Sequence, residues 1–367
     1  MNDRIVGARL NDDEDEVLRR IEAFRRRRPR LTDEVVTLAH GAGGKASAAL
    51  TDAVFVEAFA NPTLAELGDA ATLTLADAGR LVFSTDSYVV SPIRFPGGSI
   101  GDLAVNGTVN DLAVSGGVPR WLSAAFVIEE GLPIADLRAV VAEMAAAAAV
   151  AGVSIVTGDT KVVPHGAADQ LYITTSGVGV VPPGRRLGPE LVTAGDRLLV
   201  SGPIGAHGMA VLLARGDLAL SADIRSDTAP LNGLVEALLS ACPTTRWIRD
   251  ATRGGVGTVC NELAQTTGLG VLLDEEQLPV EPVVAGACDL LGIDPLYVAN
   301  EGRLVAVVPA EDAEAALTAV TAHEFGAGAR LIGQLVAQPA GIVALRTAFG
   351  GSRIVDMLVG DPLPRIC

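Results

Sequence analysis

Lysine is almost missing from this 367-residue chain: among its 28 basic residues only Lys45 and Lys161 are ammonium side chains, and the other 26 are arginines. Basic groups are also outnumbered, because 44 acidic side chains leave a formal net charge of −16. That sign argues against general binding to nucleic acid or to anionic membranes. Aromatics supply only 4% of the residues, so the 49% hydrophobic content is mostly Ala, Val and Leu, still too much for a disordered chain. The four cysteines, Cys242, Cys260, Cys288 and Cys367, form no CxxC pair and have no histidine at ligand spacing, which argues against zinc and against a disulfide framework. No apolar run reaches the ~20 residues that a membrane span needs. The best stretch, 144–158, is alanine-heavy and flanked by Glu143 and Asp159. The charged N-terminus is followed by no apolar signal segment. The reading is a soluble, cytoplasmic protein with neither membrane nor nucleic acid as partner.

At roughly 150 residues per domain the length predicts two domains. Residues 1–34 read as an extension: its acids come first and its arginines, Arg25 to Arg28, last. That polarity suits the macrodipole of one helix over about 13–28, stopped by Pro29. Strands are predicted over 71–75, 81–84, 123–128, 154–157 and 171–181, with helices over 101–115 and 133–152 between them. The turn-rich stretch 181–187 is the candidate boundary between an N-terminal domain, 35–183, and a C-terminal one, 188–345. The second unit predicts strands over 197–201, 270–273 and 304–308 and helices over 208–215, 231–241 and 256–266. A helix over 310–322 and strands over 329–336 and 342–345 complete it. The fold class is therefore α/β, in two α/β domains. Residues 346–367 form a tail whose last eight positions hold two prolines and end in a thiol, a flexible arm by composition.

Both lysines sit in compact sequences, HGAGGK (40–45) and GDTK (158–161). A lysine ammonium is compact and tunable where a guanidinium is not. Gly43, Gly44 and Lys45 belong to a glycine-rich stretch that brings backbone N–H groups against an anion. The spacing is not that of a Walker A loop, and a plain loop reads equally well. Aspartates recur at strand ends and loop starts: Asp69, Asp86, Asp111, Asp159 and Asp250. Each alone is commonly a cap or turn residue. Together they suit an acidic protein that binds a nucleoside triphosphate through Mg²⁺, which takes one or two carboxylates and keeps waters. Asn106 and Asn110 lie one helical turn apart, able to present amides to a ligand or to form a solvated face. Arg253, after Asp250, begins a predicted helix suited to phosphate. Glu301 offers a carboxylate or a structural turn, and His40 and His207 flank glycine-containing loops as either hydrogen-bonded or catalytic residues.

The sequences HGAGGK (40–45), STDSYVVSP (84–92), FPGGSIGDLAVNGTVNDLAVSG (95–116), EEG (129–131), GDTKVV (158–163), GPIGAHG (202–208), DATRGG (250–255), NEG (300–302) and DPLPRIC (361–367) resemble the HypE family of hydrogenase maturation proteins. The likeness runs from about residue 36 to the last. The terminal Pro-Arg-Ile-Cys separates that family from its aminoimidazole ribonucleotide synthetase-like relatives, among them selenophosphate synthetase and thiamine-phosphate kinase. The resemblance implies two α/β domains, a homodimer built through a β-barrel of N-terminal-domain strands, and ATP with Mg²⁺ bound by the aspartate loops. It implies a carbamoyl group received on Cys367 from the carbamoyltransferase HypF, ATP-dependent dehydration to a thiocyanate, and passage of cyanide to iron on the HypC–HypD complex. Asp69, Asp86, Asp111 and Asp250 then match metal ligands. Gly43, Gly44, Lys45, Asn106, Asn110, Asp159, Thr160 and Arg253 are the candidate nucleotide-binding residues. Lys161 matches a lysine near the reacting group, with Glu301 or His207 as candidate base.

Three positions depart from the family pattern: Ser99 and Ala206 where aspartate is usual, and Ala251 where proline is. The rival readings are another ATP-using member, such as a selenophosphate synthetase or small-molecule kinase, and a non-catalytic scaffold. The first would favour a cysteine in the 41–45 loop, which has none. The second has no need of the aspartate set.

Overall fold

The computed structural model describes residues 31–37, 40, 46, 49–61, 80–216 and 222–356. The expected helix over 13–28, the glycine-rich 41–45 with Gly43, Gly44 and Lys45, Asp69, the strand over 71–75 and the segment ending in Cys367 lie outside the described residues.

The N-terminal half contributes β1 (Arg80–Tyr88), the short hairpin β2 (Arg94–Phe95) and β3 (Gly98–Ser99), and then helix α1 (Ile100–Val114). Strand β4 (Val118–Glu129), helix α2 (Ile134–Ala151), β5 (Ser154–Val163) and β6 (Leu171–Val181) follow. The order in the sheet is β1-β6-β4-β5, with β4 and β5 parallel and the other pairs antiparallel. Among the described residues the sheet is open. Strict alternation of buried and half-buried residues along β6 shows why it is a strand: one face meets the helices and the other does not. Helix α1 starts at a capping box in which Ser99 accepts from Gly101 N and Asp102 accepts from Ser99 N. Serine caps a helix as well as aspartate does. Alanine richness gives α2 its length, and Gly152, with φ +70°, terminates it in the left-handed conformation that glycine adopts freely.

Beyond residue 188 come β7 (Arg197–Val200), α3 (Ala206–Ala214), α4 (Asn232–Ala241), β8 (Trp247–Asp250), α5 (Gly255–Thr267) and β9 (Gly270–Asp274). These are followed by α6 (Pro282–Leu291), β10 (Leu304–Val308), α7 (Ala313–Ala322), β11 (Arg330–Val336), β12 (Val343–Arg346) and β13 (Ser352–Ile354). The seven strands lie in the order β13-β12-β9-β11-β7-β10-β8. One face packs on α5 through Val256, Leu263, Val271 and Val305. The other packs on α4 and α7 through Leu234, Leu238, Ala306 and Val320, a cluster that Ala113 and Val114 of α1 also enter. The end of α1 is thus wedged against the second sheet.

The mixed α/β architecture is as the sequence predicted, with two corrections that bear on function. Asp86 lies inside β1 rather than after it, and Asp159 and Lys161 lie inside β5 rather than in a loop. Their strands extend past the apolar runs because the ladder continues through polar residues paired with β6 and β4. The reading also missed α6, whose Pro282 at the first turn and Gly292 just past the end mark its bounds.

Candidate active site

Antiparallel pairing of β8 with β10 sets Asp250 opposite Leu304. The last residue of β8 therefore stands beside the Asn300-Glu301-Gly302 turn that leads into β10. Asn300 locks the two together: its Nδ2 donates to Ala251 O at 2.8 Å, while its Oδ1 accepts from Gly205 N at 2.7 Å. Ala251 N donates to Arg303 O at 2.8 Å, a bond that a proline at this position could not make. Against this pair the end of α1 brings Asp111, and β1 brings Asp86.

The result is a pocket of 190 Å³ whose acidic lining is Asp86, Asp111, Asp250 and Glu301. Arg253 and Thr252, just ahead of α5, line it as well, with Ser87 and Gly107. The sequence reading missed the last two. Ser87 had the signal of following Asp86; Gly107 had none in the sequence, and only the structure shows that a Cβ there would come within 2.3 Å of Tyr88 Oη. Asp111 Oδ2 accepts from Ser84 Oγ at 2.7 Å, yet burial and the Asp86 charge hold its pKa above the ordinary value. Burial, then the neighbouring Asp111 charge, pushes Asp250 up from 3.8 to about 7. Carboxylates held this close resist ionising together. Among the described residues no three potential ligands converge as a ready-made metal cage.

This electrostatic arrangement has a measurable consequence. Because the folded-state pKa of Asp250 is raised, the folded chain holds an extra proton between 3.8 and about 7. Stability of the ligand-free protein falls as pH rises through that window, and the penalty is complete above it. Asp250→Asn is expected to stabilise the ligand-free chain by about 2–4 kcal/mol near pH 8, and by little near pH 4. Thermal melts of both proteins across that range check this; coincident melts at every pH would contradict it.

Several expected site residues are elsewhere. Asn110 is buried and its amide is committed to main chain: Nδ2 donates to Ala229 O and Glu301 O, and Oδ1 accepts from Leu231 N at 2.7 Å. It positions the Glu301 turn, and its expected nucleotide contact is revised accordingly. Asn106 Nδ2 donates to Thr228 Oγ1 at 3.0 Å, and the residue does not line the pocket. His207 is fully buried, with Nδ1 2.8 Å from Ser226 Oγ and its ring edge-on to Phe95, which makes it a packing residue outside the pocket. Lys161 points from the uncovered face of the first sheet and pairs with Asp159 at 2.9 Å, while Thr160 N donates to Asp159 Oδ1. Strands β5 and β1 are opposite edges of that sheet, about 14 Å apart at normal strand spacing. Within one chain Lys161, Asp159 and Thr160 do not join the aspartate pocket.

Comparisons with known proteins agree with this architecture. The family model described as AIR synthase related protein, N-terminal domain, matches residues 67–181, and its C-terminal-domain counterpart matches 193–346. The chain is 56% identical over 338 residues to the carbamoyl dehydratase HypE of Rhodobacter capsulatus, covering 92% of this chain and 99% of that one. It superposes on a crystal structure of the hydrogenase maturation protein HypE in complex with ATP with a TM-score of 0.86 and 45% identity, over 90% of this chain and 99% of that chain. A chain from a crystal structure of a HypE–HypF complex gives a TM-score of 0.74 at 46% identity, over 84% of this chain and 100% of that one.

Proposed function

Because the chain belongs to the HypE family of carbamoyl dehydratases, we propose that it uses ATP to remove water from a carbamoyl group carried on the Cys367 thiol. The product is a thiocyanate that supplies cyanide ligands to the iron of [NiFe]-hydrogenase. The observation that carries this reading is the convergence of Asp86, Asp111, Asp250 and Arg253 from both halves of a chain 56% identical to a carbamoyl dehydratase. A primary amide does not shed its oxygen unaided; bound ATP supplies the phosphoryl group with which that oxygen leaves.

The chain's own residues then have separable tasks. Asp86, Asp111 and Asp250 would hold Mg²⁺, with Asp69 as a further ligand from the sequence. Arg253 and the leading N–H groups of α5 neutralise phosphate. Glu301, which lines the pocket as His207 does not, is the better candidate to take the amide proton. The open face of the first sheet supports a homodimer through a β-barrel of N-terminal strands. Leu81 and Phe83 are 52% and 70% exposed there, and Phe83 is in register with Val178, and Val178 with Trp121. Pairing of two such faces would set Lys161 and Asp159 against the second copy, while Thr160, paired with buried Phe126, faces the helices. HypF as the carbamoyl donor is supported by the complex of a relative, and a HypC–HypD complex is the proposed cyanide acceptor. The proposed site of action is the cytoplasm; no helix among the described residues is long and apolar enough to cross a membrane.

Isotope tracing tests the chemistry. A carbamoyl group labelled with heavy oxygen, loaded on the chain and turned over with Mg·ATP, should pass its label into inorganic phosphate. Label appearing in water alone would contradict phosphorylation of the amide oxygen.

A further inference from the structure

Val355 and Asp356 are the last two described residues before the eleven that end in Cys367, and both are tied down. Val355 is fully buried beneath α5. Its N–H donates to Val343 O at 2.9 Å, and its carbonyl accepts from Asn261 Nδ2 at 3.0 Å. Asn261 is itself buried in α5 and also donates to Gly257 O at 2.8 Å. One residue further along the chain, Tyr297 Oη donates to Asp356 O at 2.6 Å. The Tyr297 ring lies along the first turn of α5, where a Cβ on Gly257 would come within 2.8 Å of Tyr297 Cε1. Glycine is required there by the close approach. Both donors therefore belong to α5 or pack on it, and the residues leading into α5, Thr252 and Arg253, line the pocket. From Gly255 to Asn261 is six helical residues, about 9 Å.

We infer that Tyr297 and Asn261 are positioning residues for the dehydration: they pin the root of the thiol-bearing segment beside the helix that leads from the pocket. The inference rests on Cys367 being the carrier. Eleven residues span at most about 36–40 Å, so the thiol is confined to a sphere of that radius around Asp356. Pinning the root a short distance along α5 from the phosphate-binding end keeps the pocket well inside the sphere. Releasing it lengthens the tether and dilutes the thiol at the pocket, the loss expected of any intramolecular reaction whose anchor is loosened. Both donors bind main-chain carbonyls, so the clamp fixes a place rather than reading a sequence. Neither donor lines the pocket, which separates the clamp from nucleotide binding.

The test is Tyr297→Phe, which removes the hydroxyl and keeps the ring against Gly257. Chains preloaded with the carbamoyl group should dehydrate it about 1.1- to 1.2-fold more slowly, because Val355 stays held and the free tether grows by one residue. The KM for Mg·ATP and the rate of loading from the carbamoyltransferase, a reaction with a protein arriving from solution, should stay at parent values. Amide exchange at residue 356 should quicken. Dehydration at the parent rate, or a loss shared equally by ATP binding or loading, overturns the inference. The parent control separates the two layers. If the unmodified chain never carries the group on Cys367, the carrier reading fails and the clamp with it; if it does and the variant matches it, only the clamp fails.

Discussion

Cys367→Ala is expected to melt like the parent, bind Mg·ATP like the parent and accept no carbamoyl group, so that its turnover is nil. The reason lies in the other three thiols. Cys242, Cys260 and Cys288 are 1%, 0% and 0% exposed, so no donor protein can reach them without unfolding the core. Burial also pushes Cys260 up to about 12 and Cys288 up to about 11, which leaves almost no thiolate to attack at neutral pH. They pack as small hydrophobic side chains. Only the terminal cysteine remains as a nucleophile for the loading reaction. Peptide mapping after incubation with the carbamoyltransferase reads the result. Carbamoyl on any of the buried cysteines in the variant, or residual turnover, would contradict the account.

Asp86→Asn is the second large effect. Asp86 is exposed in β1, and its Oδ1 accepts from Ser87 N at 2.8 Å. Asparagine keeps that acceptor, so the strand and the thermal stability should be unchanged to within about 0.5 kcal/mol. What disappears is one negative charge on the pocket wall. If Asp86 is the metal ligand proposed above, its removal should lower ATP-dependent turnover by on the order of a hundredfold or more, since even outer-shell partners of such ligands are worth ten- to hundredfold. Calorimetric titration with Mg·ATP and a phosphate-release assay check it. Parent-like binding and turnover would remove Asp86 from the proposed metal set.

The α/β architecture was legible because apolar runs alternate along the chain and alanine favours helix: the helix predicted over 101–115 is α1, Ile100–Val114, and that over 133–152 is α2, Ile134–Ala151. The aspartates were legible as chemistry, and Asp86, Asp111 and Asp250 meet in one pocket with Arg253 and Glu301. What the chain's one-dimensional pattern does not carry is which face a side chain takes and how it spends its hydrogen bonds. Asn110 looks like a ligand residue beside Asp111, yet its amide is committed to three main-chain groups across 119 to 191 residues of sequence. Lys161, rare enough to draw notice, sits on a strand predicted over 154–157 whose polar stretch hid its continuation to Val163. Only the register of β5 on β4, which pairs Lys161 with Val127, places it on the open face. Tyr297 and Asn261 gave no sequence signal, because their partners are backbone carbonyls that any residue offers.

The central claim is that one thiol carries the group through ATP-dependent loss of water. It is tested most directly by mass spectrometry of the C-terminal peptide after incubation of the unmodified chain with the carbamoyltransferase and its carbamoyl donor. Without ATP, Cys367 should gain the mass of a carbamoyl group; with Mg·ATP, that adduct should lose one water and become a thiocyanate. An adduct that forms on Cys367 and keeps its water in the presence of Mg·ATP would contradict the dehydration, and an adduct on any other residue would contradict the carrier.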